Sequence, residues 1–177
     1  MNRLKRTLTA LGFALLATTA FAALPSKHEV LRAISVLEKD VATPEASEAA
    51  KTIVTFAQDS QDVMVDIGPG QIPWATEKFG LDKDRELTCQ SMLLAAFVAG
   101  NIRSQIKNDR AEDDTYSGWI FAIETYNRLR AKSAFHSPSI ESLAKMQADG
   151  TLLDHAREVR LKDAQEEPAE PEHKPFA

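Results

Sequence analysis

Between Ser91 and Asn101 the chain runs Met92, Leu93, Leu94, Ala95, Ala96, Phe97, Val98, Ala99, Gly100, with no polar side chain among them. A membrane span needs about 20 apolar residues, and a surface helix would carry a polar stripe through the run. The stretch therefore reads as the middle of a helix enclosed by protein. Leu87, Ser91, Leu94, Val98 and Ile102 recur on one helical face, while Leu93 and Phe97 point in a second direction. The spacing predicts a central helix over about 85–108. Asp82 or Asp84 can cap its start by accepting a first-turn amide, and Lys107 and Arg110 suit the negative end of its dipole. Ala95, Ala96, Ala99 and Gly100 form a small-residue patch that lets a neighbouring backbone come close, which offsets the ~1 kcal/mol a helical glycine costs against alanine.

The other segments follow the same period. Ser26 and Glu29 form a capping box for a helix from Lys27 to about Val41, with Val30, Ile34, Leu37 and Val41 on one face. Thr43 caps a second helix with Pro44 at its first position. Its apolar positions continue through Phe56 and Ala57 to Val63 and Met64, and Gly68, Pro69 and Gly70 end it. A linker, Ile67 to Asp84, holds a two-turn helix over Pro73–Phe79. Beyond the acidic turn Asp109–Asp114 comes a helix with Tyr116, Trp119, Ile120, Ile123 and Tyr126. Ser137 and Pro138 begin a short helix ended by Gly150, and a last helix carries Leu152, Ala156 and Val159. No segment alternates as a strand would, and there is no internal repeat. The fold class is all-α, a single-domain bundle of five or six helices around the buried central one.

Residues 1–22 read as a cleavable signal peptide: Arg3, Lys5 and Arg6, an apolar stretch to Thr19, then Ala20, Phe21, Ala22 as a small-x-small cleavage site. An uncleaved anchor is the alternative. Cleavage leaves a helical domain over 23–162 and an acidic, proline-rich tail over 163–177, in a periplasmic or secreted protein with no membrane span. The segment takes three of the 21 basic residues and none of the 26 acidic ones, leaving 18 against 26, a net charge of −8. That balance disfavours nucleic acid, whose binding rests on clustered cations, and suits a basic partner. Cys89, the single cysteine, has no internal disulfide partner and reads as a small buried hydrophobe.

No motif fixes a reaction, and no cofactor or metal pattern stands out. His28, His136, His155 and His173 show no ligand spacing. From Asp113 to Glu124 the chain mimics a calcium loop, but Thr115 and Phe121 break the pattern, and an N-cap at Asp113 or Asp114 explains the acids. Trp74 is a candidate binding anchor in the linker, since loops carry function; the alternative is that it pins the linker to the bundle. On a helical projection Asn101 lies beside Leu94, flanked by Gln90 and Gln105, and Asn127 lies between Tyr116 and Ile120. These amides, with Glu124, form either a buried network joining two long helices or a ligand pocket bordered by Trp119. The leading expectation is an exported non-catalytic protein that binds another protein in the cell envelope, near Trp74 or through the acidic surface. The alternatives are a small-molecule module using the Asn101 and Asn127 pocket, and an envelope-polymer hydrolase pairing Glu77 or Glu124 with Asp113. The oligomeric state is open.

Overall fold

The structure is a computed structural model that describes residues 24–166, with side chains to residue 162. The signal peptide over 1–22 and the tail beyond residue 166 lie outside the described residues. Within them the chain is all-α: α1 (Lys27–Lys39), α2 (Pro44–Asp59), α3 (Lys83–Asn108), α4 (Thr115–Lys132), α5 (Pro138–Ala148) and α6 (Leu152–Glu166). A single 3-10 turn, Pro73–Thr76, interrupts the connection from α2 to α3.

Helix starts are set by local chemistry. The Ser26–Glu29 capping box is complete, Thr43 accepts from Ala46 N–H with Pro44 behind it, and Asp82 accepts from Arg85 N–H. Asp114 and Ser137 cap α4 and α5 in the same way. Each such cap contributes about 1 kcal/mol.

Helix α3 is the axis. From Ala95 to Ile102 every residue is buried, as the apolar run requires. Its first turns are different: Leu87 is 52% exposed and Ser91 is also exposed, so the enclosing protein begins only past the third turn. Helix α4 packs along α3 more extensively than any other pair of elements, with α1 and α2 forming a second tight pair. The small-residue patch makes that approach possible. Gly100 faces the Ser117 carbonyl and Phe121, and Gly118 faces the Phe97 ring. The two glycines are reciprocal: each clears room for the opposite helix.

Several boundaries differ from the periodicity. Helix α1 stops at Lys39, because Asp40 turns extended and its carboxylate accepts from Ala42 N–H and from Lys132. Helix α2 stops at Asp59, where Ser60 is extended, and Val63 and Met64 leave the helix although they continue its apolar pattern. The two-turn helix over Pro73–Phe79 is one 3-10 turn, ended by extended Glu77. Helix α6 runs four residues into the acidic segment, to Glu166; no helix breaker occurs before Pro168.

Candidate functional site

The polar residues of the α3–α4 junction converge on residues 63–67, the segment that departs from α2. Gln105, only 3% exposed, accepts from Met64 N–H at 2.9 Å through its Oε1 and donates to the Met64 carbonyl at 2.5 Å through its Nε2. An N–H and a C=O of one residue reach the same side-chain amide only when that residue is extended. The Gln105 amide thus holds the Met64 backbone beyond the end of α2, which has already stopped at Asp59. Val63 is buried there and Met64 is 52% exposed.

The network continues inward. Gln105 also donates to Asn101 Oδ1, which accepts Asp114 N–H at 3.0 Å as well. Asn101 Nδ2 donates to Asp113 Oδ1 at 2.6 Å. That same oxygen accepts Asp66 N–H at 3.0 Å, and Asp113 Oδ2 accepts both N–H and Oγ–H of Thr115 at 3.1 and 2.6 Å. Asp113 is 3% exposed and its carboxylate receives four donors. A buried carboxylate without a counter-ion is tolerable only when its lone pairs are filled in this way. The arrangement also replaces the calcium-loop pattern: both Asp113 oxygens are committed to protein hydrogens. Asp114, beside it, caps α4 and accepts from Ser104 and Ser117. Burial raises its pKa, but the Ser104 and Ser117 hydrogen bonds outweigh burial and hold it below the ordinary aspartate value. Its contribution to stability is therefore present above that value and lost as pH falls through the lowered one.

The candidate residues sort into two groups. Trp74 is buried, 1% exposed, and meets Phe97 edge-to-face at 6.3 Å. Trp119 is fully buried, stacks on His155 at 5.2 Å and donates from Nε1 to the Gln71 carbonyl at 2.7 Å. The two tryptophans thus tie the connection to α3 through Phe97 and to α4 through the Gln71 carbonyl, and neither offers a face to solvent, while fully buried Asn101 bonds Asp113, Gln105 and Asp114 instead. Glu124 and Asn127 lie elsewhere. Asn127 is exposed, and Glu124 is half-buried and pairs with Arg128 at 3.5 Å. The projection placed Asn127 correctly between Tyr116 and Ile120, but those two are only partly buried and mark the outer border of α4. The inner face carries Gly118, Trp119, Phe121, Ala122, Thr125 and Tyr126. A pocket joining Asn101 to Asn127 is thus corrected to a network of Asn101, Gln105 and Asp113, with Asn127 outside it.

The paired-carboxylate arrangement also fails to assemble. Glu77 accepts from Ser137 Oγ at 2.5 Å and from Ser139 N–H and Oγ at 2.9 and 2.6 Å, serving as a second cap on α5. It is tied to the early part of α3, where Gln90 donates to its carbonyl, whereas Asp113 bonds to Asn101, 11 residues along. That separation is roughly 16 Å of helix. Glu124 is on the outer face, and Cys89 is buried, which pushes its thiol pKa up and away from nucleophilic use. A cleft of about 200 Å³ lies beside Ser104, Asn108, Asp114 and Arg160. It is smaller than the ~300 Å³ at which small-molecule sites begin, and Arg110 and Arg160 both pair with Glu112.

Met64 and Ile67, each 52% exposed, are the large apolar side chains that this segment presents to solvent. The sequence signal for Ile67 was its place beside Gly68 and Pro69; for Met64 the helical period pointed the wrong way. The chain matches no family model, no curated protein and no solved structure.

Proposed function

We propose that this is an exported, non-catalytic helical protein that binds another protein, with the segment from Val63 to Ile67 as its contact element. The observation that supports this reading is the pairing of two large exposed apolar side chains, Met64 and Ile67, with a backbone fixed by Gln105 and Asp113. Each of these side chains is already about half-buried, so burying the rest of one against a partner contributes about 1 kcal/mol, roughly half of what full burial gives. Association normally loses part of that to ordering the loop, and a segment already held by three hydrogen bonds loses less. Trp74 and Trp119 then act as braces behind the contact rather than as the contact. The small-molecule alternative has less support, because the hydrogen-bonding atoms of Asn101 are already engaged and Asn127 is remote from them.

Photo-crosslinking in the native host tests it. A photoreactive phenylalanine analogue replaces Met64 or Ile67 in turn, with Leu87 and Leu153, exposed apolar residues on helices, as controls. The expected result is one protein adduct from positions 64 and 67 and none from 87 or 153, on a chain whose N-terminus is Ala23. Equal adducts from all four positions, or none, would overturn the reading.

A further inference from the structure

We infer that Met64 is a redox-modification site whose oxidation to the sulfoxide turns off the contact. This rests on the protein-binding reading and names its regulation. Of the three methionines beyond residue 22, Met64 is 52% exposed, Met146 is partly buried against the core and Met92 is 4% exposed. Oxidation of a thioether follows access to its sulfur, so a hydroperoxide meets Met64 first. The competing sulfur is withdrawn: Cys89 is 7% exposed within the core, and burial pushes its thiol up, away from the reactive thiolate. On the protein-binding reading the chain also works outside the cytosol, where oxidising conditions prevail.

The backbone at Met64 is held independently of its side chain. Its N–H and C=O are both on Gln105, and the preceding Val63 is buried, so a change at the exposed thioether leaves the segment anchored. In the step itself a sulfur lone pair attacks one peroxide oxygen, the O–O bond breaks, an S–O bond forms and water leaves. The thioether loses two electrons and the peroxide gains them. A dithiol reverses the step: it takes the oxygen away as water and is itself oxidised to a disulfide. The sulfoxide is a strong hydrogen-bond acceptor where an apolar group stood. In the free protein water solvates it, whereas covered by an apolar partner surface it has no donor and is costly to bury. That difference between the free and bound states is what shifts the equilibrium toward release.

The test treats the protein without its leader with hydrogen peroxide and follows each methionine by peptide mass spectrometry. Met64 is expected to gain one oxygen before Met146 and Met92, with the melting temperature unchanged while only Met64 has reacted. The chain carrying the photoreactive analogue in place of Ile67 is then oxidised in the same way and mixed with a soluble envelope extract of the native host. Oxidation is expected to lower the adduct yield about tenfold, and methionine sulfoxide reductase with a dithiol is expected to restore it. Met64→Leu, of similar volume but without sulfur, should keep its adduct through the treatment. Met92 or Met146 oxidised as fast as Met64, an adduct that survives Met64 oxidation, or an adduct lost equally from Met64→Leu, overturns the switch and leaves the protein-binding reading standing. No adduct from position 67 before oxidation removes that reading and the switch with it.

Discussion

Replacing Gly100 with alanine is expected to destabilise the protein by about 3 kcal/mol or more, near or above the usual upper end for overpacking. In an open helix the same change would stabilise by ~1 kcal/mol through propensity. Here the added methyl would sit 2.3 Å from the Ser117 carbonyl oxygen and 2.8 Å from Phe121 Cβ. Neither is the far end of a flexible side chain, so α4 itself must move. For a domain of this size the loss corresponds to roughly 6–12 °C in melting temperature. Gly118→Ala meets two Phe97 ring atoms at 2.6 Å but also the Phe97 carbonyl at 2.9 Å. Adding Phe97→Leu should recover part of the Gly118→Ala loss and none of the Gly100→Ala loss. Thermal melts of these variants check the pattern; Gly100→Ala melting at or above the parent would refute close α3–α4 packing.

Asp113→Ala is expected to cost about 3–4 kcal/mol, because each buried donor left without an acceptor costs ~1–3 kcal/mol and only part of that is recovered by entering water. Its donors come from three places: Asp66 N–H in the contact segment, Asn101 on α3, and Thr115 at the start of α4. One substitution thus loosens the helix junction and the segment together. Asp113→Asn keeps the volume but turns an amide NH₂ toward at least one donor, so a loss of similar direction and smaller size is expected. Urea unfolding with an unchanged slope would report the stability term. A loss below about 0.5 kcal/mol, the range of ordinary surface substitutions, would mean that the four hydrogen bonds do not hold the junction.

The helical class, the central helix and its small-residue patch were legible because they depend on local period and side-chain size. Ser26, Thr43, Asp82 and Ser137 could be read as caps for the same reason: each bonds within its own first turn. The contact segment was not legible. Val63 and Met64 continue the apolar period of α2, but the helix has already ended at Asp59, and the Met64 backbone is then held by Gln105, 41 residues later in the chain. No local rule anticipates a side-chain amide holding the backbone from so far along the chain. Gly118 looked like the sixth position of a calcium loop, while its neighbour in space, Phe97, gives it a packing role. Asn101 was correctly singled out as a buried amide in need of partners; Asn127 was not distinguished from it because a projection shows angles and not which face is covered. From the sequence Trp74 reads either as a binding anchor or as a pin for the linker, and its burial against Phe97 favours the pin; Trp119, which reads as the border of a pocket, is buried and ties the connection through the Gln71 carbonyl.

Native-state hydrogen exchange over residues 62–67, in the parent and in Gln105→Ala, decides whether α3 and α4 hold this segment in place. Met64 and Asp66 amides should be protected in the parent while Val65 and Ile67 exchange faster, and Gln105→Ala should abolish protection at Met64. Uniformly fast exchange along the segment in the parent, or Met64 protection that survives Gln105→Ala, would contradict a preformed contact element.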